Sequence, residues 1–150
     1  MYRSIILLFL LLPSFAFGDL AVQFDAWARA TAPGAATGAI YGEIHNHGDQ
    51  AIVLKDVGFD LAGHAMVHRT VVRDGMMRMV HSSVELAPGE SITLEPGGLH
   101  IMLMGLNAPL ERGCSYDVTL KWDDGSSSHS LVTGRFGQSK KPDSAGQSCP

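Results

Sequence analysis

Turn sequences cut this chain into runs too short and too regular for helices. Ala32-Pro33-Gly34, His47-Gly48-Asp49, Asp74-Gly75, Pro88-Gly89, Glu95-Pro96-Gly97-Gly98 and Asp123-Asp124-Gly125 punctuate it at short intervals. Each pairs a residue tolerant of turn geometry with glycine or proline. Between them apolar and polar residues alternate with period two, as in Val118, Leu120 and Trp122, and no 3.6-residue period appears. Strands are therefore predicted over 38–46, 51–59, 66–80 (a hairpin), 84–87, 91–94, 99–104, 116–122 and 128–136, with another in 19–31. Eight or nine short strands at this spacing predict an all-β, antiparallel sandwich of two sheets. The residues alone leave sandwich or barrel open and give no topology. A length of 150 residues suits one domain with a single core.

The ends carry different signals. Residues 1–18 read as a secretory signal peptide: Arg3, the apolar run Ile5 to Leu12, Pro13, then small residues at Ala16 and Gly18. The apolar run falls short of the roughly 20 residues a membrane span needs, so no span is expected after cleavage. Residues 19–136 form the expected domain. Residues 137–150, with few apolar side chains, are expected to be a disordered tail. Removing the leader takes away one base and no acid, so the formal charge moves from −4 to −5. An acidic chain without a basic patch is a poor nucleic-acid binder. The two cysteines, Cys114 and Cys149, lack metal-motif spacing, and export permits either a disulfide or two free thiols.

The functional signal lies between Ala65 and Leu106. Six of the seven methionines (Met66, Met76, Met77, Met79, Met102, Met104) and three of the seven histidines (His68, His81, His100) fall there. Strands ordinarily favour β-branched and aromatic residues. Thioether sulfur is soft and imidazole borderline, so this mixture favours Cu(I) over zinc, magnesium or calcium. Methionine is also a common core filler, and Met66, Met76 and Met77 are assigned to packing.

Pairing geometry narrows the set. A two-residue turn at Asp74-Gly75 would pair Arg73 with Met76, Thr70 with Met79 and His68 with His81. A four-residue loop would set His68 opposite Met79, and either register puts both on one side of the ribbon. In the strand Leu99 to Met104, alternation sends His100, Met102 and Met104 to one face and Leu99, Ile101 and Leu103 to the core.

At these residues the chain resembles the periplasmic copper chaperones of the PCu(A)C type, whose signature is His, ten residues, Met, about twenty-one residues, then His-x-Met. Here it reads His68, ten residues, Met79, twenty residues, His100-Ile101-Met102. The resemblance runs from about Ala21 to Arg135, through Phe24-Asp25-Ala26-Trp27-Ala28-Arg29-Ala30, Asn46-His47-Gly48-Asp49 and Met102-Leu103-Met104-Gly105-Leu106. It implies a cupredoxin-like Greek-key fold and a Cu(I) site made by His68, Met79, His100 and Met102. It further implies delivery of copper in the periplasm for cytochrome c oxidase assembly, with a Sco-like thioredoxin-fold protein and the oxidase copper subunit as partners. The segment between Met79 and His100 is one residue shorter than the family spacing. No histidine- or methionine-rich tail is present, so that feature of some members is not carried over.

Met104 and His81 are reserve candidates for the site. His45 and His47 share a face but lack an evident third ligand, His64 is expected in a loop, and His129 at the surface. Trp27 is expected to pack over the core. No cysteine occupies a ligand position, which argues against a blue-copper electron carrier. No nucleophile elbow, paired-carboxylate site or HExxH motif is present, so an enzyme is not expected. Periplasmic copper buffering and a metal-free interaction module are the alternatives.

Overall fold

The computed structural model describes residues 22–134 and 147–148, and all of the structure there is β. The strands are β1 Val22–Arg29, β2 Thr37–Asn46, β3 Ile52–Gly58, β4 Ala62–Arg73, β5 Met76–His81, β6 Glu85–Leu86, β7 Ser91–Leu94, β8 Leu99–Leu106, β9 Cys114–Trp122, β10 Gly125–Gly134 and β11 Gln147–Ser148. They follow the order β11-β9-β10-β1-β2-β8-β4-β3-β6, with β5 on β4 and β7 on β2, and an additional β9–β3 pairing brings the path back on itself. The result is a cupredoxin-like β-sandwich whose two layers share strands at their margins. Most pairings are antiparallel, but β1–β10 and β11–β9 are parallel. No helix among the described residues is long and apolar enough to cross a membrane.

Period-two alternation builds the core. Val22, Phe24, Ala26 and Ala28 of β1, Ile40 and Ile44 of β2, Leu99, Ile101 and Leu103 of β8, and Val118, Leu120 and Trp122 of β9 form one buried cluster. Their alternating neighbours face outward, and on β8, β4 and the adjoining β5 the outer face carries the candidate ligands.

Two glycine-dependent features shape that face. Asp74 and Gly75 both adopt positive φ (53° and 74°), the signature of a tight two-residue hairpin turn. The turn selects the two-residue register: Arg73 pairs with Met76, Thr70 with Met79, and His68 with His81. Gly42, at φ 138°, lies where β2 changes partner, pairing with β8 through residues 37–40 and with β7 through 42–45. There the β1 backbone comes so close that a Cβ on Gly42 would sit 2.1 Å from the Asp25 carbonyl oxygen.

Several expectations are corrected. The strands number eleven among the described residues: the expected 66–80 hairpin is two strands, β4 and β5, and Gln147–Ser148 adds a two-residue strand too short to show a period. β4 begins at Ala62, so His64 lies in a strand and not in a loop. Met76 and Met77, assigned to packing, are 54% and 72% exposed, because β5 pairs only with β4 and stands clear of the core. Gln147–Ser148, within the segment expected to be disordered, pairs with Cys114 and Ser115 of β9. Cys114 is disulfide-bonded. Cys149, the rest of that tail and the leader with its cleavage site lie outside the described residues.

His129 is buried, not superficial. The Trp122 indole N–H donates to Ser127 Oγ at 3.2 Å, and Ser127 Oγ and His129 Nε2 are hydrogen-bonded at 2.8 Å. Phe24 meets the imidazole edge-on at 5.9 Å between centroids. Burial pushes the His129 pKa below the ordinary histidine range. The unfolded chain therefore binds a proton at a pH where the folded chain does not. This contribution to stability is full above about pH 6.5 and is lost as pH falls from there through the folded value. In denaturant titrations from pH 7.5 to 5, His129→Phe is expected to flatten the decline in unfolding free energy, whatever its stability at pH 7.5. An unchanged slope would assign the decline to other groups.

Candidate metal centre

Three adjacent strands, β8, β4 and β5, bring the candidate residues together. His68 on β4 pairs with His100 on β8 and with His81 on β5. Directly paired residues project to the same side, so three imidazoles form a row across the sheet with His68 in the middle. One step along the strands, Met102 pairs with Met66 on β4 and Ala39 on β2. One step the other way, Met79 pairs with Thr70. Met104 pairs with His64 and Thr37, a further step away.

The imidazoles are prepared differently. The His68 and His100 ring centroids lie 6.3 Å apart at an 81° interplanar angle. His100 Nδ1 lies 3.2 Å from the Gly98 carbonyl. A carbonyl can only accept, so Nδ1 carries the proton and the Nε2 lone pair stays free for a metal. His68 Nδ1 is shut off from solvent and has no hydrogen-bond partner. Burial, followed by the neighbouring His100 and His81, holds the His68 pKa below the usual range. A neutral imidazole with an unsatisfied nitrogen is the state a metal ligand requires.

The row continues into an aromatic wall. Tyr41 lies 6.3 Å from His100, and Trp27 lies 4.8 Å from Tyr41, centroid to centroid. The Arg29 guanidinium sits over the Tyr41 ring at 5.4 Å. Burial raises the Tyr41 pKa and Arg29 opposes that rise. Trp27 is buried, but on the face opposite Ala26 and Ala28, so it packs against Tyr41 and not over the core cluster. No pattern in the sequence singles out Tyr41 or Arg29. Only the β1–β2 and β2–β8 registers bring them beside His100.

Met79, His100 and Met102 share the lining of one groove of about 510 Å³, together with Tyr41, Thr70 and Met77. His68 is not part of that lining and adjoins it through His100. Met79 is 58% exposed, whereas Met102 is half-buried. Met104 and His81 lie outside the groove. Among the described residues no three His, Cys, Asp or Glu side chains converge on a metal-sized point, so a centre here draws on thioethers. Two imidazoles and two thioethers make a neutral, soft donor set suited to Cu(I).

His45 and His47 have partners of their own. The His45 and His47 rings lie 3.9 Å apart, with His45 Nδ1 2.6 Å from Ser91 Oγ and His47 Nε2 3.0 Å from Gln23 Oε1.

Among solved structures, the fold is similar to the apo PCuAC domain from PmoF1, at 26% identity and a TM-score of 0.66, covering 79% of this chain and 98% of that one. It is also similar to the CuI form of DR1885 from Deinococcus radiodurans, at 29% identity and a TM-score of 0.56, covering 74% of this chain and 76% of that one. A curated relative, "Putative lipoprotein Lxx21020" from Leifsonia xyli subsp. xyli (strain CTCB07), is 37% identical over 105 residues, 69% of this chain. The match spans 62% of that relative's length. Residues 22–132 match the family described as "Putative lipoprotein LpqE-like", and on that span, with the fold of the PCuAC domains, the chain belongs to the LpqE-like family.

Proposed function

We propose that this protein is an exported copper carrier that holds one Cu(I) through His68, Met79, His100 and Met102. The observation that carries the reading is the orphaned, solvent-excluded Nδ1 of His68 beside a His100 ring whose Nε2 is left free. A metal at this point would satisfy a buried nitrogen that otherwise costs on the order of 1–3 kcal/mol. Met79 and Met102 on the flanking positions supply soft donors, and the likeness to a CuI form of DR1885 agrees with that cargo. Exposed Met79 is the ligand a recipient would displace first, giving release by ligand exchange without unfolding. Residues 1–18 serve as the export signal, residues 19–136 as the copper-binding domain, and the compartment is the periplasm. The name of the Leifsonia relative, a lipoprotein, agrees with an envelope location. The recipient is the copper subunit of cytochrome c oxidase, with a Sco-like thioredoxin-fold protein as co-worker. The site is a carrier's and performs no catalysis.

Cu(I) titration of the purified protein under reducing, anaerobic conditions is expected to end at one equivalent. X-ray absorption should show a shell of two sulfur and two nitrogen scatterers. A shell without sulfur, or no saturable binding, would overturn the assignment. Mixing the loaded protein with the apo copper subunit tests delivery separately, by transfer of the metal.

A further inference from the structure

The β4–β5 hairpin runs past the sandwich and ends in an open edge with a chemistry of its own. β8 accompanies β4 only as far as the Arg69–Leu99 pair, and among the described residues β5 pairs with β4 alone. Every residue of β5 is exposed. Val72, Met77 and Met79, three of the exposed large apolar side chains, lie on the face of His68 and Thr70, with no charge among them. Arg69, Arg73 and Arg78 leave the opposite face, interleaved with Val71, Met76 and Val80. Residues 69–81 hold these three arginines and one carboxylate, Asp74, a net +2 in a chain of net −4. In a two-residue hairpin the residues flanking the turn, Arg73 and Met76, exchange both backbone bonds, and bonded pairs then alternate along the ladder. The N–H and C=O groups of Met77 and Met79 therefore point to the open edge.

We propose that the open edge of β5 receives a strand from an acidic partner protein, with apolar side chains opposite Met77 and Met79 and a carboxylate opposite Arg78. A partner pressed onto either face of the ribbon would meet only one of its two chemistries. A strand added along the edge continues both faces, and its own period-two alternation matches them. Opposite charges paired across strands are favourable, and the position opposite Arg78 is a non-hydrogen-bonded one, where side chains stand closest. Arg69 and Arg73, one strand further in, add to the attraction. A second copy of this chain fits poorly, because two ribbons of net +2 would lie side by side. A bilayer would meet one face or the tip, and the tip carries Asp74. The proposal rests on the Cu(I) reading in one respect, that Met79 is a ligand, and it names the partner's chemistry there. Met77, Arg78 and Met79 line the same groove as His100 and Met102, so a strand docked on β5 lies against the ligand that a recipient displaces.

The probe is a synthetic peptide that alternates valine with glutamate, titrated into the isotope-labelled apo protein and followed by amide shifts. Binding should move the amides of Met76–His81 most. A peptide with lysine in place of glutamate should bind at least about fivefold more weakly. One with N-methylated valines, which cannot bond to Met77 and Met79, should not bind. Arg78→Glu should invert the preference, so that the lysine peptide binds the more tightly. Phosphatidylglycerol vesicles should not retain the protein, and sedimentation should show a monomer. Equal binding of the two charged peptides, binding of the N-methylated one, or a preference unmoved by Arg78→Glu overturns the proposal. So does retention on vesicles or dimerisation that shifts the β5 amides. Cu(I) titration of the same protein is independent of these readouts. If copper saturates at one equivalent and no peptide binds, the docking edge falls alone. If peptides bind as expected and copper does not, the edge stands and the Cu(I) reading falls. Circular dichroism of Arg78→Glu, expected to be native because Arg78 is exposed, shows that altered binding is not lost folding.

Discussion

Met102→Leu is expected to lower Cu(I) affinity by a large factor while the apo protein melts almost where the wild type does; Ile101→Ala, one residue away, should do the opposite. The two side chains leave the same strand on opposite faces. Ile101 is fully buried between paired Val67 and Ile40, and Met102 is half-buried beside Met66 and Ala39. Leucine nearly conserves the volume of methionine, and such swaps cost less than about 1.5 kcal/mol. It lacks a soft donor, however, so the Cu(I) shell loses a ligand. Truncating Ile101 leaves a cavity in the core cluster and costs about 2–5 kcal/mol. Against a total stability of about 5–15 kcal/mol that is a large fraction. Its copper affinity should survive in the folded fraction. Met104→Leu should weaken Cu(I) much less than Met102→Leu, because Met104 lies a step further from the histidine row and outside the groove. Apo unfolding and Cu(I) competition on all three variants decide the matter. Should Met102→Leu destabilise the apo fold as Ile101→Ala does, with copper affinity intact, Met102 is packing and the site is misassigned.

Gly42→Ala should be the most damaging single methyl group that can be added to the domain. Two costs fall on one position. A residue with a Cβ at φ 138° is in a region almost restricted to glycine, with strain of about 1–3 kcal/mol. The new Cβ would also sit 2.1 Å from the Asp25 carbonyl oxygen and 3.1 Å from the Ala26 Cα, both on the backbone of β1, where no flexible side chain can give way. Relief requires β1 and β2 to separate beside Tyr41, the residue that abuts His100. The variant is therefore expected to lose several kcal/mol, more than about 3, and to lose Cu(I) binding with its fold. By contrast, Gly34→Ala meets nothing within 4 Å and carries only the cost of its positive φ. Denaturation midpoints of the two variants compare a strained, crowded glycine with one that is strained alone. Equal losses would show that crowding at Gly42 contributes nothing.

Local chemistry is what a chain displays openly, and here it carried far. Turn residues and period-two alternation determined an all-β sandwich or barrel, because both depend on a few neighbouring residues. The Asp74-Gly75 dipeptide narrowed the hairpin to two registers, and alternation along Leu99 to Met104 separated outer-face from core-facing side chains. The family signature then identified His68, Met79, His100 and Met102 as the set to examine. What depends on strands far apart in sequence was not legible. The partner change of β2 at Gly42, the parallel β1–β10 pairing and the place of Trp27 and Tyr41 beside His100 all follow from non-local packing. His129 shows the same limit: its position near a turn suggested the surface, but it is buried, with Phe24 edge-on to its ring and Ser127 hydrogen-bonded to it. Met76 and Met77 show it in reverse, apolar residues left exposed because β5 has one neighbour and no second layer against it. Residue types and spacing determined which donors this protein owns. Tertiary structure decided which of them stand together, because cross-strand register and burial exist only once distant segments have met.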